Sequence, residues 1–117
     1  MSPMFTTDKK DGSYRFILNL KVFNTFVQHF HFKMESLYDV LRLIQPGVWM
    51  SSVDLQDAYY SLPIHRKDQK YFSFFWDGHL YRFICMPNGY KDGPQLFTKV
   101  LKVPFALLRS RGHESVL

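Results

Sequence analysis

Two stretches decide how this chain is read: Val53-Asp54-Leu55-Gln56-Asp57-Ala58-Tyr59-Tyr60 and Met86-Pro87-Asn88-Gly89-Tyr90. In the first, Asp54 stands at the end of an apolar run, residues 49–55, whose mixture of residues predicts a largely buried strand. A carboxylate held there can offer oxygen to a hard divalent cation, and Asp57 is a second candidate three residues on. Residues 56–62 read as a short helix or turn, stopped by Pro63. The second stretch is a turn that presents an amide and a glycine. Taken alone, Asp-x-x-Asp more often marks a strand-end acid and a helix cap, and a tyrosine such as Tyr59 more often packs a core.

Outward from these stretches, the sequence predicts two β-hairpins. Residues 2–7 and 14–20 read as strands joined across Asp8-Lys9-Lys10-Asp11-Gly12-Ser13, which gives a hairpin with a basic tip. Residues 71–76 and 80–85 read as a second hairpin across Asp77-Gly78. A helix is expected over residues 36–44. Ser36 and Asp39 have capping-box spacing, Leu37, Val40, Leu41 and Ile44 share a face, and Pro46-Gly47 ends the element. From Pro94 the pattern is again helical, with Phe97, Val100, Leu101, Phe105 and Leu108 on one face and Pro104 expected to kink or break it. Arg111-Gly112 closes that helix, and residues 115–117 read as the start of a further strand. Strands and helices intermix without strict alternation, so the expected class is α+β.

Bulk properties narrow the function classes. The 117 residues, 46% of them hydrophobic and 18% aromatic, suit a packed globular domain rather than a disordered chain. Fifteen Lys and Arg against ten Asp and Glu give a net charge of +5, which favours polyanionic partners. The single cysteine, Cys85, excludes an internal disulfide and a Cys-rich zinc site; it reads as a buried small hydrophobe. No apolar stretch reaches the roughly 20 residues of a bilayer span. The N-terminus shows no apolar signal core, so the expectation is an intracellular protein of cytoplasm or nucleus, not secreted and with no membrane partner. His29 and His31 alternate as in a strand but have no evident co-ligands, and His65, His79 and His113 show no constellation.

The segment from Asp54 to Pro63 is similar, position by position, to motif A of retroviral and retrotransposon reverse transcriptases. Met86-Pro87-Asn88-Gly89-Tyr90, with Pro94 and Phe97, is similar to motif B. Lys9-Lys10-Asp11-Gly12-Ser13-Tyr14-Arg15 resembles the fingers hairpin, and Asn19-Leu20-Lys21-x-x-Asn24 resembles the segment after it. The phrasing, including His31-Phe32-Lys33-Met34, looks most like retrotransposons of the DIRS class. The resemblance implies an antiparallel sheet with helices packed on one side, in the fingers (about residues 1–50) and partial palm (about 51–117) of a right-hand polymerase. It implies an RNA-directed DNA polymerase that adds deoxynucleotides to a primer 3′ end, with an RNA or DNA template, a primer and deoxynucleoside triphosphates as partners.

Roles follow from the same resemblance. Asp54 would be the catalytic carboxylate and bind two Mg2+ ions, with Mn2+ as the alternative, and the Leu55 carbonyl would add an oxygen ligand. Asp57 and Ala58 would lie against the sugar and phosphates of the nucleotide. Tyr59 would sit under the sugar as a steric gate against a 2′-hydroxyl. Lys10 and Arg15 would contact the triphosphate, and Asn88 and Gly89 would lie near the nascent pair. Two departures stand out. Asp92 occupies a position where many relatives carry a small residue, and it is read as a solvent-facing acid or a cap for the helix from Pro94. The aromatic-x-Asp-Asp turn of the family does not occur in the 117 residues. The expectation is therefore an incomplete metal site and a chain inactive by itself, the alternative being a non-catalytic nucleic-acid-binding remnant.

Overall fold

The computed structural model describes residues 1–28 and 30–117. The described residues fall into two compact units, Met1–His29 with Asp57–Gly93 and Phe30–Gln56 with Pro94–Leu117. His29 lies outside the described residues, and with it the reading of the His29/His31 pair; His31 belongs to no strand.

The first unit is built on two hairpins. Strands β1 (Met4–Asp8) and β2 (Tyr14–Leu18) pair antiparallel from Met4↔Leu18 to Asp8↔Tyr14. The tip closes because Asp11 accepts hydrogen bonds from the Ser13 backbone N–H (2.9 Å) and hydroxyl (2.6 Å), while Gly12 takes φ +79°. Those two bonds hold the Asp11 carboxyl below its ordinary value. Strands β3 (Ser73–Trp76) and β4 (His79–Arg82) form the second hairpin, in register Trp76↔His79. Its two-residue loop, Asp77 at φ +45° and Gly78 at φ +72°, has the two left-handed residues that match the twist of the strands. Antiparallel pairing is as the sequence predicts, but the ladders remain two separate two-stranded sheets.

Leu18, Leu20 and Phe72 form the core of this unit, with Met4, Phe23, Ile64, Phe74, Phe83 and Tyr90 packed against it. Phe23 lies on a short helix, α1 (Lys21–Phe26), that the sequence patterning does not reveal. Its ring meets Phe72 edge-on at 5.3 Å, and Phe72 in turn meets Tyr90 at 5.8 Å. Residues 58–61 form one turn of 3-10 helix, inside the short helix or turn expected over residues 56–62. Pro63 bridges to Cys85, which is half-buried rather than buried because this bridge lies outside the core cluster.

In the second unit, α2 (Leu37–Leu43) begins at Ser36, where the Asp39 carboxylate accepts from the Ser36 backbone N–H at 2.7 Å and from its hydroxyl at 2.9 Å. Its apolar face is exposed at Leu37, Leu41 and Ile44. Helix α3 (Gly93–Ser110) runs through Pro104 without ending there. It stops at Gly112, φ +85°, where the N–H groups of Gly112 and His113 donate to the carbonyls of Arg109 and Leu108. No helix among the described residues is long and apolar enough to cross a membrane.

Two strand expectations fail. Residues 49–55 form no strand, and Trp49 is 98% and Val53 83% exposed. A strand exists only through a ladder with a neighbour, and no described segment pairs with this one. Asp54 therefore stands on an exposed irregular segment, not at the end of a buried strand. Residues 115–117 are not a strand either. The Ser115 carbonyl instead accepts from Arg109 (2.6 Å to Nη2), and Glu35 accepts from the Leu117 N–H at 2.6 Å and from Arg109 Nη2 at 2.9 Å.

Candidate functional site

Three of the quoted segments converge within the first unit. The 3-10 turn within motif A is set by Asp57, whose backbone is left-handed (φ +49°) and whose carbonyl accepts the Tyr60 N–H at 2.9 Å. Aspartate tolerates this conformation better than most residues. The turn places Ala58 and Tyr59 half-buried and sends the Tyr60 hydroxyl toward the first hairpin, where it donates to the Phe16 carbonyl at 3.3 Å. From the motif B turn, Asn88 Nδ2 donates to the Tyr60 hydroxyl at 3.0 Å and reaches the Phe16 carbonyl at 3.4 Å. Burial raises the Tyr60 phenol above its ordinary value despite the hydrogen bond from Asn88.

Gly89 fits against the same hairpin. Its φ is +105°, and a Cβ built on it would lie 2.6 Å from the Leu18 carbonyl oxygen, well inside contact distance. The close approach that glycine permits is thus made with the chain's own backbone. Asn24, at the end of the Asn19-x-x-x-x-Asn24 segment, holds the turn from the other side. Its Nδ2 donates to the Gly89 carbonyl at 2.9 Å, and its Oδ1 accepts the Lys91 N–H at 3.0 Å. Burial, with the Asp92 charge second, raises the neighbouring Tyr90 phenol.

Lys10 and Arg15 are exposed on the first hairpin, Lys10 at its tip and Arg15 opposite Thr7 in β2. The first unit therefore gathers Lys10, Arg15, Asp57, Ala58, Tyr59, Asn88 and Gly89. Asp54 and Leu55 belong to the second unit, and both are exposed. The roles of Tyr60 and Asn24 escape motif reading. The only signal for them is a pair of hydrogen-bonding side chains in otherwise aromatic or apolar surroundings. Beside the Tyr60 link, Met4, Phe16, Phe74, Trp76, Tyr81 and Phe83 line an apolar cleft of about 650 Å³. Among the described residues, no group of three or more His, Cys, Asp or Glu could hold a metal ion.

Residues 7–116 match the family described as reverse transcriptase (RNA-dependent DNA polymerase), and the chain belongs to that family. It is 34% identical over 103 residues to the Gag-Pol polyprotein of walleye dermal sarcoma virus, covering 86% of this chain and 6% of that protein. With the Gag-Pol polyprotein of gibbon ape leukemia virus it shares 32% over 119 residues, covering 93% of this chain and 7% of that one. The chain thus spans a small fraction of these relatives. The fold is similar to that of a foamy viral protease–reverse transcriptase solved in complex with double-stranded DNA, with a TM-score of 0.82 at 24% identity, covering 98% of this chain and 20% of that one. A structure of the prototype foamy virus protease–reverse transcriptase matches with a TM-score of 0.74 at 23% identity, covering 93% of this chain and 14% of that one.

Proposed function

We propose that this chain is part of an RNA-directed DNA polymerase of a retroelement, a DIRS-class retrotransposon by its phrasing, and that it contributes the nucleotide-facing surface of that enzyme. The reaction is attack of a primer 3′-hydroxyl on the α-phosphate of a deoxynucleoside triphosphate, with release of pyrophosphate. The observation that carries this reading is the convergence of the first hairpin, the turn within motif A and the motif B turn through Phe16, Tyr60 and Asn88. Three segments far apart in sequence are tied at one place, and each carries residues suited to a nucleotide triphosphate. In this reading residues 1–50 belong to the fingers and 51–117 mainly to the palm. An intracellular place of action, where deoxynucleotides are found, goes with it.

Each residue has a physical task. Lys10 offers a point charge, and Arg15 a planar fork, to phosphate oxygens. Asp57 and Ala58 turn the backbone under the sugar, and Tyr59 provides the aromatic wall that a 2′-hydroxyl would meet. Asn88 and Gly89 border the nascent pair. These contributions are positional, and positioning alone is worth several kcal/mol of a transfer barrier, on the order of 7–11 in favourable cases. The template and primer would be held partly by the basic balance of the chain, in line with the double-stranded DNA bound by the foamy viral relative.

Polymerases of this family use divalent metal ions, and Mg2+ is the ion this reading expects. Magnesium demands a near-octahedral set of oxygens. Asp54 and the Leu55 carbonyl fall short of the donors two such ions need, and no further cluster exists among the described residues. The donor set present does not by itself fit a two-metal centre.

The net charge of +5 also suits a second reading, a non-catalytic nucleic-acid-binding remnant of a retroelement. Primer extension separates the two. The complete protein carrying this chain, given an RNA template, a DNA primer and deoxynucleotides with Mg2+ or Mn2+, extends the primer if the polymerase reading holds. Salt-sensitive binding of primer–template with no incorporation under either ion supports the remnant instead.

A further inference from the structure

We infer that Tyr60 is a positioning residue that fixes the orientation of the Asn88 amide, so that the amide presents its oxygen and not its nitrogen to the nucleotide. The inference rests on the polymerase reading above. Its geometric basis is the direction of the hydrogen bonds around the Phe16 carbonyl. That oxygen can only accept. The Tyr60 hydroxyl therefore donates to it at 3.3 Å and has a lone pair left for Asn88 Nδ2 at 3.0 Å. The second contact of Nδ2, at 3.4 Å, goes to the same carbonyl. An amide flipped by half a turn would set its oxygen against the Phe16 carbonyl, and Tyr60 could bond that oxygen only by turning its proton away from the carbonyl.

The nitrogen is thereby committed inward to two partners, and Oδ1 is the remaining polar group of the side chain. The lock sits immediately after Tyr59 in one turn of 3-10 helix, so the proposed gate and the residue that orients the amide belong to a single rigid element. The position of the turn is fixed in turn by the Asp57 carbonyl, which accepts the Tyr60 N–H at 2.9 Å. A phenylalanine at position 60 would keep the ring and remove only the lock.

The test is a double-mutant cycle in the complete polymerase carrying this chain, read by single-nucleotide incorporation. Tyr60→Phe is expected to raise KM for the deoxynucleotide by about three- to tenfold, the range that one net hydrogen bond supplies, with kcat changed by less than about twofold. Asn88→Ala is expected to raise KM as well, and adding Tyr60→Phe to it should change nothing further. A purely structural Tyr60 would instead lower the unfolding midpoint and act equally in both backgrounds. Equal effects in the two backgrounds, or an unchanged KM in Tyr60→Phe, overturn the inference while leaving an active wild type and the polymerase reading intact. A wild type without incorporation removes the polymerase reading and this inference with it.

Discussion

Gly89 lies against the carbonyl of Leu18 so closely that a single added carbon would sit 2.6 Å from its oxygen. The neighbour is backbone at a buried position, and it cannot move aside without shifting β2. The φ of +105° adds its own penalty for any side chain. Gly89→Ala should destabilise the 117-residue chain by about 2–3 kcal/mol, measured by denaturant unfolding. Gly12, with open space around its Cβ position, is the control expected to tolerate alanine better.

Asn24 acts on the same turn through its side chain alone. Asn24→Ala removes the bonds to the Gly89 carbonyl and the Lys91 N–H and should cost about 1–3 kcal/mol. Hydrogen exchange at the Lys91 amide should quicken in the variant. Unaltered exchange there would mean that the turn is held by other contacts.

Glu35 links the second unit to acid sensitivity. The Leu117 N–H, and after it the Arg109 guanidinium, hold its carboxyl below the ordinary 4.5. A carboxyl lowered in the folded state stabilises that state above its unfolded value, and the contribution is lost as pH falls through the folded value. Stability of the wild-type chain should therefore drop between about pH 5 and about pH 3 more steeply than that of Glu35→Gln. The pair is partly exposed, so the difference should be modest and should shrink with added salt. Parallel pH profiles of the two proteins would show that the contact contributes nothing.

Tyr59 carries the proposed discrimination between sugars. Replacing it by valine in the complete polymerase should raise ribonucleotide incorporation relative to deoxynucleotide by at least about tenfold, because the wall beneath the sugar is shortened. Competition between the two nucleotides at one template position gives the ratio directly. An unchanged ratio would return Tyr59 to an ordinary packing role.

What was legible in the sequence is what local chemistry determines. Asp11-Gly12 and Asp77-Gly78 announce their hairpins because the turns need a left-handed backbone at Gly12 and at both Asp77 and Gly78, and both hairpins form. Ser36 and Asp39 announce the start of α2 because three residues span one capping box. The run at 49–55 has the composition of a buried strand, but composition cannot provide the partner that a ladder requires, and the run is exposed. Helix α1 is only six residues long, too short for periodicity to stand out. The motif residues on the first unit could be named from their resemblance to a family. The bonds that tie them together, Tyr60 to Phe16 and Asn24 to Gly89, span 44 and 65 positions and leave no periodic trace.

The central proposal is that the chain is part of an RNA-directed DNA polymerase, and Asp54 is the carboxylate proposed for its catalysis. The most direct measurement is primer extension by the complete protein with Asp54 intact and with Asp54→Asn, alongside primer–template binding at fixed salt. The account predicts extension by the first, none by the second, and similar binding by both. Normal extension by Asp54→Asn would contradict it.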